Sequence, residues 1–195
     1  MCECCPTAGA VTADGPIVAF RDRSDAEVRD IAVSRRVDGR WTAPVLVHRD
    51  NWTLRACPVN GPALAASGRS VAIAWFTMEG DQGRALVAFS SDAGATFGPP
   101  IRVDAAATLG RVDLELLADG SLVVSWIEPA ESRARFQVRR VTRDGTLSAP
   151  ITVAPISSGR PSGFPRIARR GQELLFAWTE TEGGLRVRTA SARLP

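Results

Sequence analysis

Val71-Ala72-Ile73-Ala74-Trp75 is an apolar run that closes on an aromatic residue, and the chain repeats it. Ile17-Val18-Ala19-Phe20 precedes it. Leu122-Val123-Val124-Ser125-Trp126 and Leu174-Leu175-Phe176-Ala177-Trp178 follow. The closing aromatics Phe20, Trp75, Trp126 and Trp178 are spaced by 55, 51 and 52 residues. Short runs of β-prone residues between turn residues read as strands, and a fixed period of this size marks a repeat architecture.

The rest of the unit repeats in phase. A short strand precedes each aromatic run, as in Pro62-Ala63-Leu64-Ala65, joined through a turn such as Ala13-Asp14-Gly15 or Ala118-Asp119-Gly120. A third strand follows it, as in Ala85-Leu86-Val87-Ala88-Phe89. A fourth opens after Pro at Val45, Ile101 and Ile151. Four strands per period predict an all-β chain, a β-propeller of four-stranded antiparallel blades. About four blades are counted, over residues 1–50, 51–104, 105–155 and 156–195 of a single propeller domain. The last lacks a fourth strand. The expectation is therefore either a small four-bladed propeller or part of a six-bladed one truncated at its N-terminus. Open blade edges favour self-association. An immunoglobulin-like sandwich does not predict a phase-locked period.

Composition excludes several functions. In 195 residues there is no Tyr and no Lys, so all 24 basic residues are Arg. A tyrosine nucleophile, a Schiff-base lysine and a P-loop lysine are absent. A triad would have to use His48, the single histidine. The net charge of +3 is spread without a basic stripe, so nucleic acid is not an expected partner. No apolar run reaches the ~20 residues of a membrane span.

The turn Ser90-Ser91-Asp92-Ala93-Gly94-Ala95-Thr96-Phe97 is a self-contained hairpin unit. Its Asp can accept backbone N–H groups, Gly tolerates positive φ, and the aromatic packs beneath. Degenerate copies lie in phase at Asp38-Gly39-Arg40-Trp41 and Asp144-Gly145-Thr146-Leu147. The turn resembles the Asp-box, or bacterial neuraminidase repeat, with Ser90, Asp92, Gly94, Thr96 and Phe97 as its structural residues. The whole chain resembles sialidase-superfamily propellers. In particular it resembles bacterial sialidase-like proteins in which Cys2-Glu3-Cys4-Cys5-Pro6-Thr7 and Cys57-Pro58-Val59-Asn60-Gly61-Pro62 each lead into a blade.

That resemblance implies a ligand mouth built from loops entering the inner strands and loops following the second strands. All four cysteines, His48, Trp52 and Asn60 fall in or beside those loops. It also implies a carboxylate clamp of three arginines, for which Arg21, Arg23, Arg111 and Arg166 are candidates, with Trp52 and Asn60 as further ligand contacts. The sialidase Tyr nucleophile cannot be supplied. The expected function is thus a sialidase-like propeller that binds a glycan or small anionic ligand without complete sialidase machinery.

Two alternatives stand beside it. Asp22, Glu128 and Glu180 each lie two residues beyond a closing aromatic. With Asp113 they offer an Asp/Glu pair for an enzyme of the glycoside hydrolase class. Cys2, Cys4, Cys5 and Cys57, with His48 as an added ligand, suit two disulfides, a thiolate metal site or free thiols. No cofactor is otherwise indicated. The cysteines point to an extracytoplasmic parent protein, periplasmic or secreted, although no signal peptide precedes Cys2.

Overall fold

The computed structural model describes residues 2–194, and within them sixteen strands form four antiparallel sheets. Sheet I holds β1 (Ala8–Thr12), β2 (Gly15–Arg21), β3 (Ile31–Val37), β4 (Arg40–Trp41) and β5 (Val45–Leu46). Sheet II holds β6 (Ala63–Ser67), β7 (Ser70–Glu79), β8 (Gln82–Ser90) and β9 (Ile101–Arg102). Sheet III holds β10 (Gly110–Leu116), β11 (Leu122–Glu128), β12 (Ala134–Val141) and β13 (Ile151–Ile156). Sheet IV holds β14 (Arg166–Arg170), β15 (Glu173–Glu180) and β16 (Arg186–Arg193). The first two strands of sheets I and II are joined by tight turns, with Thr12 opposite Gly15 and Ser67 opposite Ser70.

The apolar runs have a simple cause. Successive side chains of a strand point to opposite faces. In β11 the residues Leu122, Val124 and Trp126 join a core shared with sheet II, while Val123 and Ile127 join one shared with sheet IV. Strand β7 divides likewise: Ala72 and Ala74 face sheet III, whereas Val71, Ile73 and Trp75 face Ile17, Ala19, Ile31 and Val33 of sheet I. Both faces of the two middle sheets are covered, so their second strands are apolar throughout. Truncating a fully buried residue such as Leu122 to Ala should cost about 2–5 kcal/mol.

The propeller expectation needs correction. No sheet closes into a propeller blade arrangement, and each ladder stays within its own sheet. Sheet I has five strands because β3 pairs with both β4 and β5, and sheet IV has three. Three cores join I to II, II to III and III to IV, and among the described residues none joins IV to I. Val11 on sheet I and Leu175 and Val187 on sheet IV are accordingly exposed.

The Ser90–Phe97 turn is satisfied from within. Ser90 Oγ accepts the Gly94 N–H at 2.9 Å and donates to Asp92 Oδ1 at 2.7 Å. Asp92 takes the Thr96 N–H at 2.9 Å and the Thr96 hydroxyl at 2.6 Å. Burial opposes ionisation of Asp92, but these donors outweigh it and hold the carboxyl far below its ordinary range. Gly94 has φ 82°, and Phe97 packs on the core between sheets I and II.

Candidate functional site

Two chain segments converge where β2 ends. The loop between β2 and β3 pairs with the loop between β5 and β6. Val28 bridges Thr53, the Arg29 N–H donates to Trp52 O at 2.7 Å, and the Leu54 N–H donates to Glu27 O at 3.0 Å. Asn51 and Glu27 hold positive φ to make the approach.

Beneath the junction lies Arg21, 1% exposed. Its Nε donates to Asn60 O at 2.6 Å and its two terminal nitrogens to Arg29 O at 2.5 Å and Phe76 O at 2.6 Å. Its guanidinium lies 5.1 Å from the centre of the Trp52 ring, which meets Phe76 edge-on. Burial pulls its pKa down to about 10, partly offset by Cys5, Asp50, Cys2 and Asp30 nearby. Arg21 is thus a buried cation that ties three backbone segments together.

On one side of Arg21 is a carboxylate group. Asp22 and Asp30 face each other across the mouth of the β2–β3 hairpin, with the Asp22 N–H on Asp30 O at 2.8 Å. Both line a pocket of about 220 Å³ with Ser24, Val28, Arg49 and Asn51. Asp30 is 3% exposed, and its Oδ1 has no hydrogen-bond partner. Burial, then the charge of Asp50, raises its pKa. Asp50 Oδ2 accepts the Trp75 indole N–H at 2.7 Å, and Oδ1 lies 2.8 Å from His48 Nδ1.

On the other side are the cysteines. Cys4 and Cys57 form a disulfide, while Cys2 and Cys5 are free and buried. Cys2, Cys4 and Cys5 bring three sulfurs within 4.8 Å of one another and so offer ligand atoms for a metal ion. Burial and contact with Cys2 push the Cys5 thiol up to about 11. Gly61 makes this possible, since a Cβ there would meet Pro6 O at 1.9 Å.

The remaining candidates are dispersed. Asp113 is 4% exposed and sealed between β10 and β14. It accepts the Ile167 N–H at 2.8 Å and lies 3.3 Å from Arg166 Nε, yet burial still raises its pKa. Glu128 pairs with Arg135. Glu180 accepts the Thr181 and Glu182 N–H groups and pairs with Arg133 at 3.0 Å. Arg23 bonds Glu27 and Glu3 at the surface. Arg111 donates to Gly159 O, Ser158 O and Ser162 Oγ, and its N–H donates to Asn60 Oδ1 at 2.8 Å. Arg111 and Arg160 share a pocket of about 200 Å³ with Asn60 and Phe164. Burial, then the Arg160 charge, lowers the Arg111 pKa.

Sequence reading missed Asp30 as an acid and the role of Asp50. It also overlooked that Cys2 and Cys5 stand at C-x-x-C spacing. That last signal was present in the residues themselves.

No protein-family model matches the chain, and no curated protein matches it. Solved structures do. A thermostable family-43 glycoside hydrolase is similar over 97% of this chain and 68% of its own, with TM-score 0.61 and 12% identity. An α-L-arabinofuranosidase from Clostridium thermocellum ATCC 27405 is similar over 97% and 68%, with TM-score 0.56 and 12% identity. A Trypanosoma rangeli sialidase is similar over 94% of this chain but 35% of its own, with TM-score 0.54 and 12% identity. The chain spans from 39% to 70% of the family-43 chains compared.

The sialidase expectation is corrected by these findings. The fold follows the family-43 glycoside hydrolases, and the sialidase scores below them. The Ser90–Phe97 turn misleads because its hydrogen bonds are local and serve any hairpin of that shape. The reading of a glycan binder with partial sialidase machinery falls with it. Among the described residues no helix is long and apolar enough to cross a membrane.

Proposed function

We propose that this chain carries a glycoside-hydrolase site in the pocket of Asp22 and Asp30. The observation that carries the reading is the buried, unpartnered Oδ1 of Asp30 beside a second carboxylate. A carboxyl whose proton is held tightly by burial suits the general acid that protonates a leaving glycosidic oxygen. Asp22 is the second member. Residues directly opposite across a hairpin hold their Cβ atoms about 4.5–5.5 Å apart. Carboxyl groups about 5–5.5 Å apart act by the retaining mechanism, which would make Asp22 the nucleophile. Asp50 acts through Asp30, adding like charge to the burial that already favours its protonated form.

The family-43 fold supports the class of reaction, and a pentoside is the substrate to try first, because an arabinofuranosidase and a xylan β-1,4-xylosidase share the fold. Arg111 and Arg160 crowd two positive charges around the neighbouring pocket, which favours a sugar bearing a carboxylate there. The Cys4–Cys57 disulfide supports an oxidising, extracytoplasmic setting.

The test is turnover of aryl β-D-xylosides and α-L-arabinofuranosides by the full chain. Asp30→Asn and Asp22→Asn should each lower the rate at least 10²-fold. Azide should rescue Asp22→Gly and give a glycosyl azide of inverted configuration, whereas a retained product would assign Asp22 as the acid/base instead. Absence of turnover across the panel, or wild-type rates in both variants, would overturn the reading.

A further inference from the structure

The cysteine group is independent of the carboxylate pocket and has its own geometry. Cys2 Sγ lies 3.1 Å from Cys5 Sγ and 3.4 Å from Cys4 Sγ. Four thiolates around a zinc ion, at metal–sulfur bonds of about 2.3 Å, have sulfur–sulfur edges of about 3.8 Å. Two edges are thus already close to that spacing, Cys4 and Cys5 lie within 4.8 Å of each other, and the fourth sulfur, Cys57, is bonded to Cys4.

The surroundings suit an anionic cluster. The guanidinium of Arg21 is buried beside Cys2 and Cys5, and its hydrogen bonds go to neutral carbonyls. No carboxylate touches it among its hydrogen-bond partners. A zinc tetrathiolate carries two net negative charges and would compensate that buried cation.

We propose that Cys2, Cys4, Cys5 and Cys57 form a redox-gated tetrathiolate site for a thiophilic cation of the Zn²⁺ class. With Cys4 and Cys57 oxidised, two ligands are withheld and the site is closed. A dithiol reductant opens it. Two electrons and two protons pass to the Cys4–Cys57 bond, giving two thiols, and the reductant leaves as its own disulfide. Zn²⁺ then binds as the four thiols release their protons to solvent.

The experiment uses the full chain, as purified and after reduction with dithiothreitol and desalting under argon. Reduced protein should take up one equivalent of Co²⁺, with the intense visible bands of a tetrahedral cobalt thiolate, and Zn²⁺ should displace it. Oxidised protein should take up none. Zn²⁺ should protect all four cysteines of the reduced wild-type chain from iodoacetamide, read by peptide mapping, so that no variant need fold. Cys57→Ser should bind at least tenfold more weakly. Failure of the reduced chain to bind either ion, or protection that omits Cys57, would overturn the proposal. So would equal uptake by the oxidised chain.

Discussion

The indole N–H of Trp75 reaches across from sheet II to donate to Asp50 Oδ2 at 2.7 Å. A fully buried residue of the repeat thus holds the carboxylate that stands behind Asp30. Core and candidate site meet in one hydrogen bond. Trp75→Phe leaves a buried carboxylate oxygen without a donor and a smaller ring in a fully buried position. The expected loss is about 1–3 kcal/mol, seen as a lower urea midpoint with unchanged slope.

Arg21→Met should be far more damaging than its position beside a loop suggests. It leaves the carbonyls of Asn60, Arg29 and Phe76 buried and unmet. A loss of about 3–5 kcal/mol is expected. Arg21→Lys should recover only part of it, because an ammonium cannot reproduce the planar fork. Equal stability of wild type and Arg21→Met in denaturant would refute the role given to this residue.

Asp30→Asn should separate activity from stability. The folded-state pKa of Asp30 is raised, so its contribution to stability is full below the unfolded value near 4 and is lost as pH rises through the folded one. Asn never ionises. The variant should therefore gain on wild type as pH rises from about 4 to 8, while losing turnover. Melting curves across that range give the sign directly.

Asp92 works in the opposite sense. Its pKa is lowered in the folded protein, so its stabilisation is present above the unfolded value near 4 and fades as pH falls toward the folded one. Asp92→Asn should be less stable than wild type at neutral pH, and the difference should shrink in acid. A gap that widens below pH ~4 would contradict the hydrogen-bonded turn.

Much of the fold was legible because its signal is local. The aromatic runs of β7 and β11 are continuous because each faces two cores, and that pattern survives in the sequence without any partner being known. The turns at Gly15 and Gly120 were readable for the same reason. Closure was not legible, since it depends on whether sheet IV meets sheet I, and no residue pattern encodes that. The site was harder still. Asp30 and Asp50 are twenty positions apart and become neighbours only through the Val28–Thr53 bridge. Arg21 reads as a solvated loop charge until its three carbonyl partners are seen. Asp113 reads as a catalytic carboxyl, yet the arrival of β14 turns it into an acceptor for the Ile167 N–H.

The Cys4–Cys57 bond has a topological consequence. The five strands of sheet I lie entirely between its two ends, which are 53 residues apart. The terminal sheet is a covalent ring. Closing a ring of that size removes about 4 kcal/mol of chain entropy from the unfolded state in the loop-closure model. A protease cut in the exposed Arg36–Arg40 hairpin would leave one molecule, divided into two only by reductant. The ring also makes sheet I hard to exchange between neighbouring chains, because swapping it would require threading a closed loop. Reduction lifts that restraint, and a shared metal ion at the same four sulfurs would tie the ring again with exchangeable bonds.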